Sequence, residues 1–330
     1  MSDIYKSVFK DDISTHMEVR RHELSSDAFR HYRHVVMSFD KYFHELGLNE
    51  KCVSFMQVEG WLRQVSSGIS LNTTGQYIHY IRQLLLHLSK CGYKCAIPRP
   101  LRAKDTYVPY LFSGDEIARI FLVADSLVAK EPPKNKWAYR EMPMLLRLLY
   151  CCGMRVGEAV NITVGDVDFN RETIILKVTK KCKQRLVPVN NELAEQLRSY
   201  CVSMGILTDM TAFLFPGSNK HSPLATNSVR HYFQTILEKA GITRDGYGET
   251  ERGPCLHCLR HTFAVKSFAK NEKDGIKARE AVPFLSTYLG HDSLCGTEKY
   301  LKYSGDYFSS PVTMFEEFSG GIFPEVKFDA

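Results

Sequence analysis

The feature that most restricts the fold of this 330-residue chain is where its β-branched residues fall. Strand-like runs are confined to residues 167–169, 173–178 and 185–189, with Asn170-Arg171 and residues 180–183 as turns between them. Most of the remaining apolar residues recur at helical spacing. Residues 28–43 put Phe29, Tyr32, Val36, Phe39 and Phe43 on one stripe, the core face of a helix. Further helices are predicted over 56–65 and over 74–90, the latter with Asn72 and Thr73 as caps and Gly92 as its stop. Ser113-Gly-Asp-Glu116 is a capping-box pattern leading into a helix over 117–127. More helices follow over 142–152, stopping at Gly153, then over 191–204, 226–240 and 256–270. The expected fold class is α+β, mainly helical, with one small antiparallel sheet.

Two domains are expected at this length, because a single core rarely extends beyond about 250–300 residues. Pro98, Pro100 and Pro109 stand among Arg99, Arg102 and Lys104, so the expected division is a helical domain over 1–97, a basic linker over 98–108, a second domain over 109–318 and a tail over 319–330. Little order is expected beyond Gly320. No apolar run approaches the ~20 residues of a membrane span, and the acidic N-terminus lacks the order of a signal peptide. A cytoplasmic protein is expected, with no membrane partner. The ten cysteines then default to thiols. Cys255 and Cys258 have a metal-ligand spacing, but no second pair stands at a finger-like distance, so neither metal nor cofactor is expected.

The net charge is only +6, and its distribution says more than its size. Between Gly60 and Lys104 there is no acidic residue, while Arg63, Arg82, Lys90, Lys94, Arg99, Arg102 and Lys104 are all basic. Such a one-signed stretch is a footprint for a polyanion such as the DNA backbone. A solvated helix face with a basic linker is the other reading. The polar positions Asn72, Thr73, Thr74, Gln76 and Tyr80 adjoin this stretch and are placed to face DNA.

Four stretches carry the chemistry. In order they are Gly153-Met-Arg155-Val-Gly-Glu158, then Lys180 ahead of Arg185-Leu-Val-Pro188, then His257-Cys-Leu-Arg260, then Leu289-Gly-His291 with Tyr300 nine residues on. Together they resemble the tyrosine recombinase, or phage integrase, family over roughly residues 109–310. The resemblance implies a helical core-binding domain followed by a tyrosine-recombinase catalytic domain, acting on double-stranded DNA.

It also implies roles. Tyr300 would be the nucleophile, Arg155 and Arg260 the catalytic arginine pair, Lys180 the hairpin lysine, and Glu158 an orienting group. His257 would take the tyrosine proton and His291 would donate to a non-bridging oxygen, while His261 reads as structural. The residue types suit the task. Planar guanidinium groups present paired donors to the two non-bridging oxygens of a phosphodiester. A tyrosine hydroxyl has an ordinary pKa of ~10 and needs a base, and the departing 5′-oxygen needs an acid. Arg155 and Glu158, three residues apart, also suit an ion pair on one helical face. Lys177, Lys181 and Lys183 leave the lysine register open, and Tyr303 and Tyr307 compete with Tyr300 by type, since there are seventeen tyrosines.

The tail carries Met314, Phe315 and Phe318 on one helical face. The resemblance suggests docking on a neighbouring subunit, so self-association into a tetramer on two DNA sites is expected; packing within the same chain is the equal alternative. Residues 271–280 form a charged stretch, expected as a surface insertion between two helices. The function implied is a site-specific DNA recombinase working through a 3′-phosphotyrosine and a four-way junction, in integration, excision or transposition of a mobile element, in a nucleoid-associated setting. The alternatives are an inactive DNA-binding protein on the same scaffold and a type IB topoisomerase-like enzyme; a telomere resolvase shares the chemistry.

Overall fold

A computed structural model describes residues 4–48, 50–101, 108–129, 138–177, 184–247 and 253–301. Arg102, Lys104, Lys180, Lys181, Lys183, Tyr303, Tyr307, Met314, Phe315 and Phe318 lie outside the described residues. The chain divides into two compact units, Met1–Tyr107 and Val108–Ala330.

The first unit contains helices α1 (Lys10–Glu23), α2 (Ser26–Glu45), α3 (Phe55–Ser66) and α4 (Leu71–Lys90). Two-residue strands β1 (Cys52–Val53) and β2 (Lys94–Cys95) pair in parallel. Serine side chains start three of the helices. Ser25 accepts from the Ala28 N–H, Ser54 forms a reciprocal capping box with Gln57, and Ser70 accepts from the Thr73 N–H at 3.2 Å. The last of these corrects the cap expected at Asn72 and Thr73. Both residues lie inside α4, because Ser70 already satisfies the first-turn donor one residue before the helix begins. The stripe of α2 is buried at Tyr32, Val36, Phe39 and Phe43, packed with Phe9, Trp61 and Leu84, while Phe29 is half-buried at its edge. Trp61 keeps its indole N–H satisfied by donating to Ser38 Oγ at 3.1 Å.

The second unit is built around α6 (Ala138–Cys152), which buries Met142, Leu145, Leu146, Leu148 and Leu149 and so is apolar on more than one face, as a central helix must be. Around it stand α5 (Gly114–Ala129), α8 (Asn191–Ser203), α9 (Thr226–Lys239) and α10 (Leu256–Lys273). Ser113 and Glu116 form the expected reciprocal cap, with N–H to side-chain distances of 2.8 and 3.2 Å. A four-residue helix α7 (Val156–Ala159) and a 3-10 turn (Val164–Asp166) lead into the antiparallel sheet β3 (Val167–Asp168), β4 (Thr173–Leu176) and β5 (Arg185–Pro188). Ile174 sits opposite Val187, both buried, and Ile175 opposite Leu186 on the other face. The last described elements are α11 (Ala278–Leu289) and α12 (Cys295–Leu301), which close a satellite apolar cluster with Ala264, Val265 and Phe268 of α10.

The charged stretch 271–280 lies where two helices meet. α10 runs on to Lys273, Gly275 turns the chain at φ 79°, and α11 begins at Ala278, so most of its charge belongs to two helix ends.

Candidate active site

The site is assembled from the ends of elements. α6 stops at Gly153, whose φ of 59° suits glycine and whose position leaves no room for a side chain, because a Cβ there would run into the Phe263 ring. Two residues later Arg155 is the N-cap of α7 in extended conformation. It therefore pairs with Glu158 across the start of a helix and not along one helical face. Glu158 accepts the Arg155 backbone N–H at 2.9 Å and its guanidinium at 2.8 Å.

A second arginine completes this pair. Arg185, at the first position of β5, donates to both oxygens of Glu158, at 3.0 and 2.7 Å. The carboxylate is only 3% exposed. Burial works to raise its pKa, yet the hydrogen bonds from Arg185 and Arg155 outweigh burial and hold it at about 2. Glu158 is thus an anion fixing two guanidinium groups.

Arg260 lies on the first turns of α10 and is 1% exposed. It donates to the carbonyls of Gly153 and Leu289, both at 2.7 Å, and Arg155 donates to the neighbouring carbonyl of Gly290 at 3.0 Å. The two arginines therefore hold consecutive carbonyls of the turn before His291. Nε of Arg260 is buried without a hydrogen-bond partner among the described residues. Burial and the nearby Arg155 lower the Arg260 pKa to about 10, which leaves it cationic at neutral pH.

Gly290 ends α11 in the left-handed conformation and turns the chain so that His291 points back toward α12. His291 Nδ1 lies 2.6 Å from Thr297 Oγ1. Burial, followed by Arg260 and Arg155, lowers its pKa to about 4, so it is neutral at pH 7. Tyr300 on α12 is 4% exposed, with its ring stacked on that of His291 at 6.2 Å between centroids. Its hydroxyl is 2.9 Å from Nδ1 of His261. Burial raises the Tyr300 pKa while the Arg260 and Arg155 charges oppose the rise.

The fold thus brings Arg155, Glu158, Arg260, His291 and Tyr300 together. His257 is on the same helix, exposed, its ring edge-on to that of His261 at 4.5 Å. Two residues of the site had no catalytic role assigned from sequence. His261 was visible as the residue one helical turn beyond His257, on the same face. Arg185 was not visible as a partner of Glu158, because 27 residues separate them. Lys177 reaches Asp166 Oδ1 at 2.5 Å.

In the first unit, Lys90, Lys94 and Arg99 are exposed. Arg63 is paired with Glu59 at 3.0 Å, and Arg82 is half-buried with its guanidinium on the Pro98 carbonyl. Gln76 donates to the Tyr80 hydroxyl at 2.8 Å. Among the described residues no helix is long and apolar enough to cross a membrane.

The sequence model of the phage integrase family matches residues 112–304. The chain belongs to this family of tyrosine recombinases, DNA strand-transferring enzymes. Among its relatives, the integrase/recombinase-like protein y4rB of Sinorhizobium fredii is 29% identical over 228 residues, covering 66% of this chain and 68% of that one. Tyrosine recombinase XerA of Thermococcus kodakarensis is 29% identical over 197 residues, 59% of this chain and 58% of that one. Tyrosine recombinase XerC of Bacillus subtilis is 32% identical over 161 residues, 47% of each. The matches to XerA and XerC thus span about half the length of those proteins. Two solved structures share the mainly helical fold with its small sheet. One is XerH recombinase in a post-cleavage complex with its difH substrate, with a TM-score of 0.68, 20% identity, and coverage of 88% of this chain and 80% of that one. The other is a DNA-bound lambda integrase fragment, with a TM-score of 0.62, 14% identity, and coverage of 97% and 99%.

Proposed function

We propose that this protein is a site-specific DNA recombinase that cuts and rejoins strands through Tyr300. The observation that carries the reading is the meeting of a buried tyrosine hydroxyl with Arg260 and two histidines, beside a carboxylate-braced second arginine. The reaction follows from these groups. Arg155 and Arg260 bind the non-bridging oxygens of the scissile phosphate, with the unpartnered Nε of Arg260 among the available donors. Neutral His291 donates a further hydrogen bond. His257 takes the proton of Tyr300 once DNA draws the hydroxyl from His261. The phenolate oxygen bonds to phosphorus, and the 5′-oxygen leaves with a proton from Lys180. The product is a 3′-phosphotyrosine and a free 5′-hydroxyl.

The ester retains the energy of the broken bond, so a 5′-hydroxyl from a second duplex reverses the step on a new partner. This supports a tetramer on two double-stranded DNA sites passing through a four-way junction, with Met314, Phe315 and Phe318 linking subunits. Lys90, Lys94 and Arg99, together with Arg63, Arg82, Arg102 and Lys104, bind the backbone of the duplex. The biological setting proposed is integration, excision or transposition of a mobile element at the nucleoid.

The test is covalent trapping on supercoiled DNA containing the element end, in EDTA, with wild type and Tyr300→Phe. The expected result is a protein–DNA adduct in the wild type alone, with binding intact in both. A wild type that binds a cognate site under assembly conditions and forms no adduct overturns the reading in favour of a DNA-binding protein.

A further inference from the structure

The helix that carries His257 and Arg260 begins with a pair of thiols. Cys255 is the N-cap of α10, half-buried, and Cys258 sits one turn in, fully buried. Their sulfurs lie 3.5 Å apart, and the Cys258 N–H donates to the Cys255 carbonyl at 2.9 Å, closing the first turn. The hydrogen bond with Cys255, followed by burial, raises the Cys258 pKa, so Cys258 stays a thiol while it faces its neighbour. The end of a helix where backbone N–H groups point outward favours negative charge, which suits Cys255 to be the attacking sulfur.

We propose that Cys255 and Cys258 form a reversible disulfide that displaces His257 and so ties DNA cleavage to the thiol–disulfide state of the surroundings. This rests on the recombinase reading above. The co-reactant is a low-molecular-weight disulfide. The Cys255 thiolate attacks one of its sulfurs, forming a mixed disulfide and releasing one thiolate. The Cys258 thiolate then attacks the Cys255 sulfur, forming the internal bond and releasing the second thiolate. Two protons from the protein thiols end on the two released small thiols, and the protein is oxidised by two electrons while the small disulfide is reduced.

The geometry decides which residues move. A disulfide requires sulfurs about 2.05 Å apart, so the pair must close by roughly 1.5 Å from its 3.5 Å separation. Cys258 is 0% exposed and packed in the main core with Leu256 and Leu259, so it stays in place. The displacement falls on Cys255 and the backbone of the turn it starts. His257 lies within that turn, exposed, with its ring edge-on to that of His261. Arg260, held by two carbonyls beyond the turn, keeps its place.

The experiment equilibrates the full chain with graded ratios of reduced to oxidised glutathione. Intact mass and peptide mapping follow the disulfide, histidine NMR resonances assigned with His257→Gln follow the ring, and covalent trapping follows cleavage. The expected result is a loss of about 2 Da that maps to Cys255 and Cys258, a shifted His257 resonance, and an adduct yield at least tenfold lower that dithiothreitol restores. Cys255→Ser should cleave equally in both buffers; Cys258→Ala repeats the test from the other sulfur. Absence of the mapped bond at high oxidised glutathione overturns the proposal. So does a bond that leaves the His257 resonance and the adduct yield unchanged. If the reduced protein forms no adduct, the recombinase reading fails, while mass and NMR still decide whether the disulfide forms and moves His257.

Discussion

The hydroxyl of Tyr300 rests 2.9 Å from Nδ1 of His261, one helical turn beyond His257. The two histidines therefore make separable contributions. His257→Ala should lower the adduct rate by about 10²–10⁴, the range of a lost general base. His261→Ala should lower it by only about tenfold, because it removes a contact that positions the hydroxyl. Single-turnover trapping across pH 6–9 distinguishes them. The His261 variant should keep the wild-type pH profile, and the His257 variant should lose its basic dependence. Equal losses with equal profiles would contradict this division.

Arg185 braces Glu158 and, through it, Arg155. Arg185→Met leaves a buried carboxylate with one guanidinium fewer, a change expected to cost on the order of 3 kcal/mol. Arg185→Lys should recover part of the stability but little of the cleavage rate, since an ammonium cannot engage both oxygens in the same fork. Urea denaturation and trapping of the three proteins check this. Equal stability of wild type and Arg185→Met would show that the pair does not brace the site.

Acid should loosen the second unit in two steps whose signs follow from the shifts. His291 has its folded pKa lowered from 6.5 to about 4, so the unfolded chain takes the proton first and stability falls as pH drops through that window. Glu158 is lowered from 4.5 to about 2, so its contribution, on the order of 2 kcal/mol, is complete above 4.5 and lost toward pH 2. Denaturation midpoints at pH 7, 5 and 3 measure both. His291→Asn should flatten the slope between pH 6.5 and 4 and leave the lower step in place.

Glu141 acts in the opposite direction. It is 1% exposed in α6, has one oxygen without a hydrogen-bond partner among the described residues, and burial raises its pKa from 4.5 to about 8. The unfolded chain therefore loses this proton first as pH rises, and the fold is weakened between 4.5 and 8. Glu141→Gln should stabilise the protein by about 2–3 kcal/mol at pH 7.5 and by little at pH 4.5. A gain that does not depend on pH would reject this account.

Much of the fold was legible because helix signals are local. The stripe of α2, the Ser113–Glu116 box and the glycine stops at 92 and 153 each involve residues within a turn or two. The first helix was not delimited from sequence, since over Lys10–Glu23 only Ile13, His16 and Met17 are buried and most of the rest is polar. The start of α4 was misplaced because Ser70, Asn72 and Thr73 are all competent caps, and only the backbone conformation at Ser70 selects among them. The pairing of Arg155 with Glu158 and the common helix of His257 and Arg260 follow from spacing. The Arg185–Glu158 fork and the His261–Tyr300 contact join separate elements, and nothing in local sequence encodes such distances.

The carbonyls of Leu289 and Gly290 that receive Arg260 and Arg155 belong to the main chain. Substitution can alter side chains there, within the steric demand at Gly290, without removing either acceptor. Insertion or deletion of one residue before His291 would shift both at once. Across descendants of this chain the turn should therefore drift in composition while keeping its length.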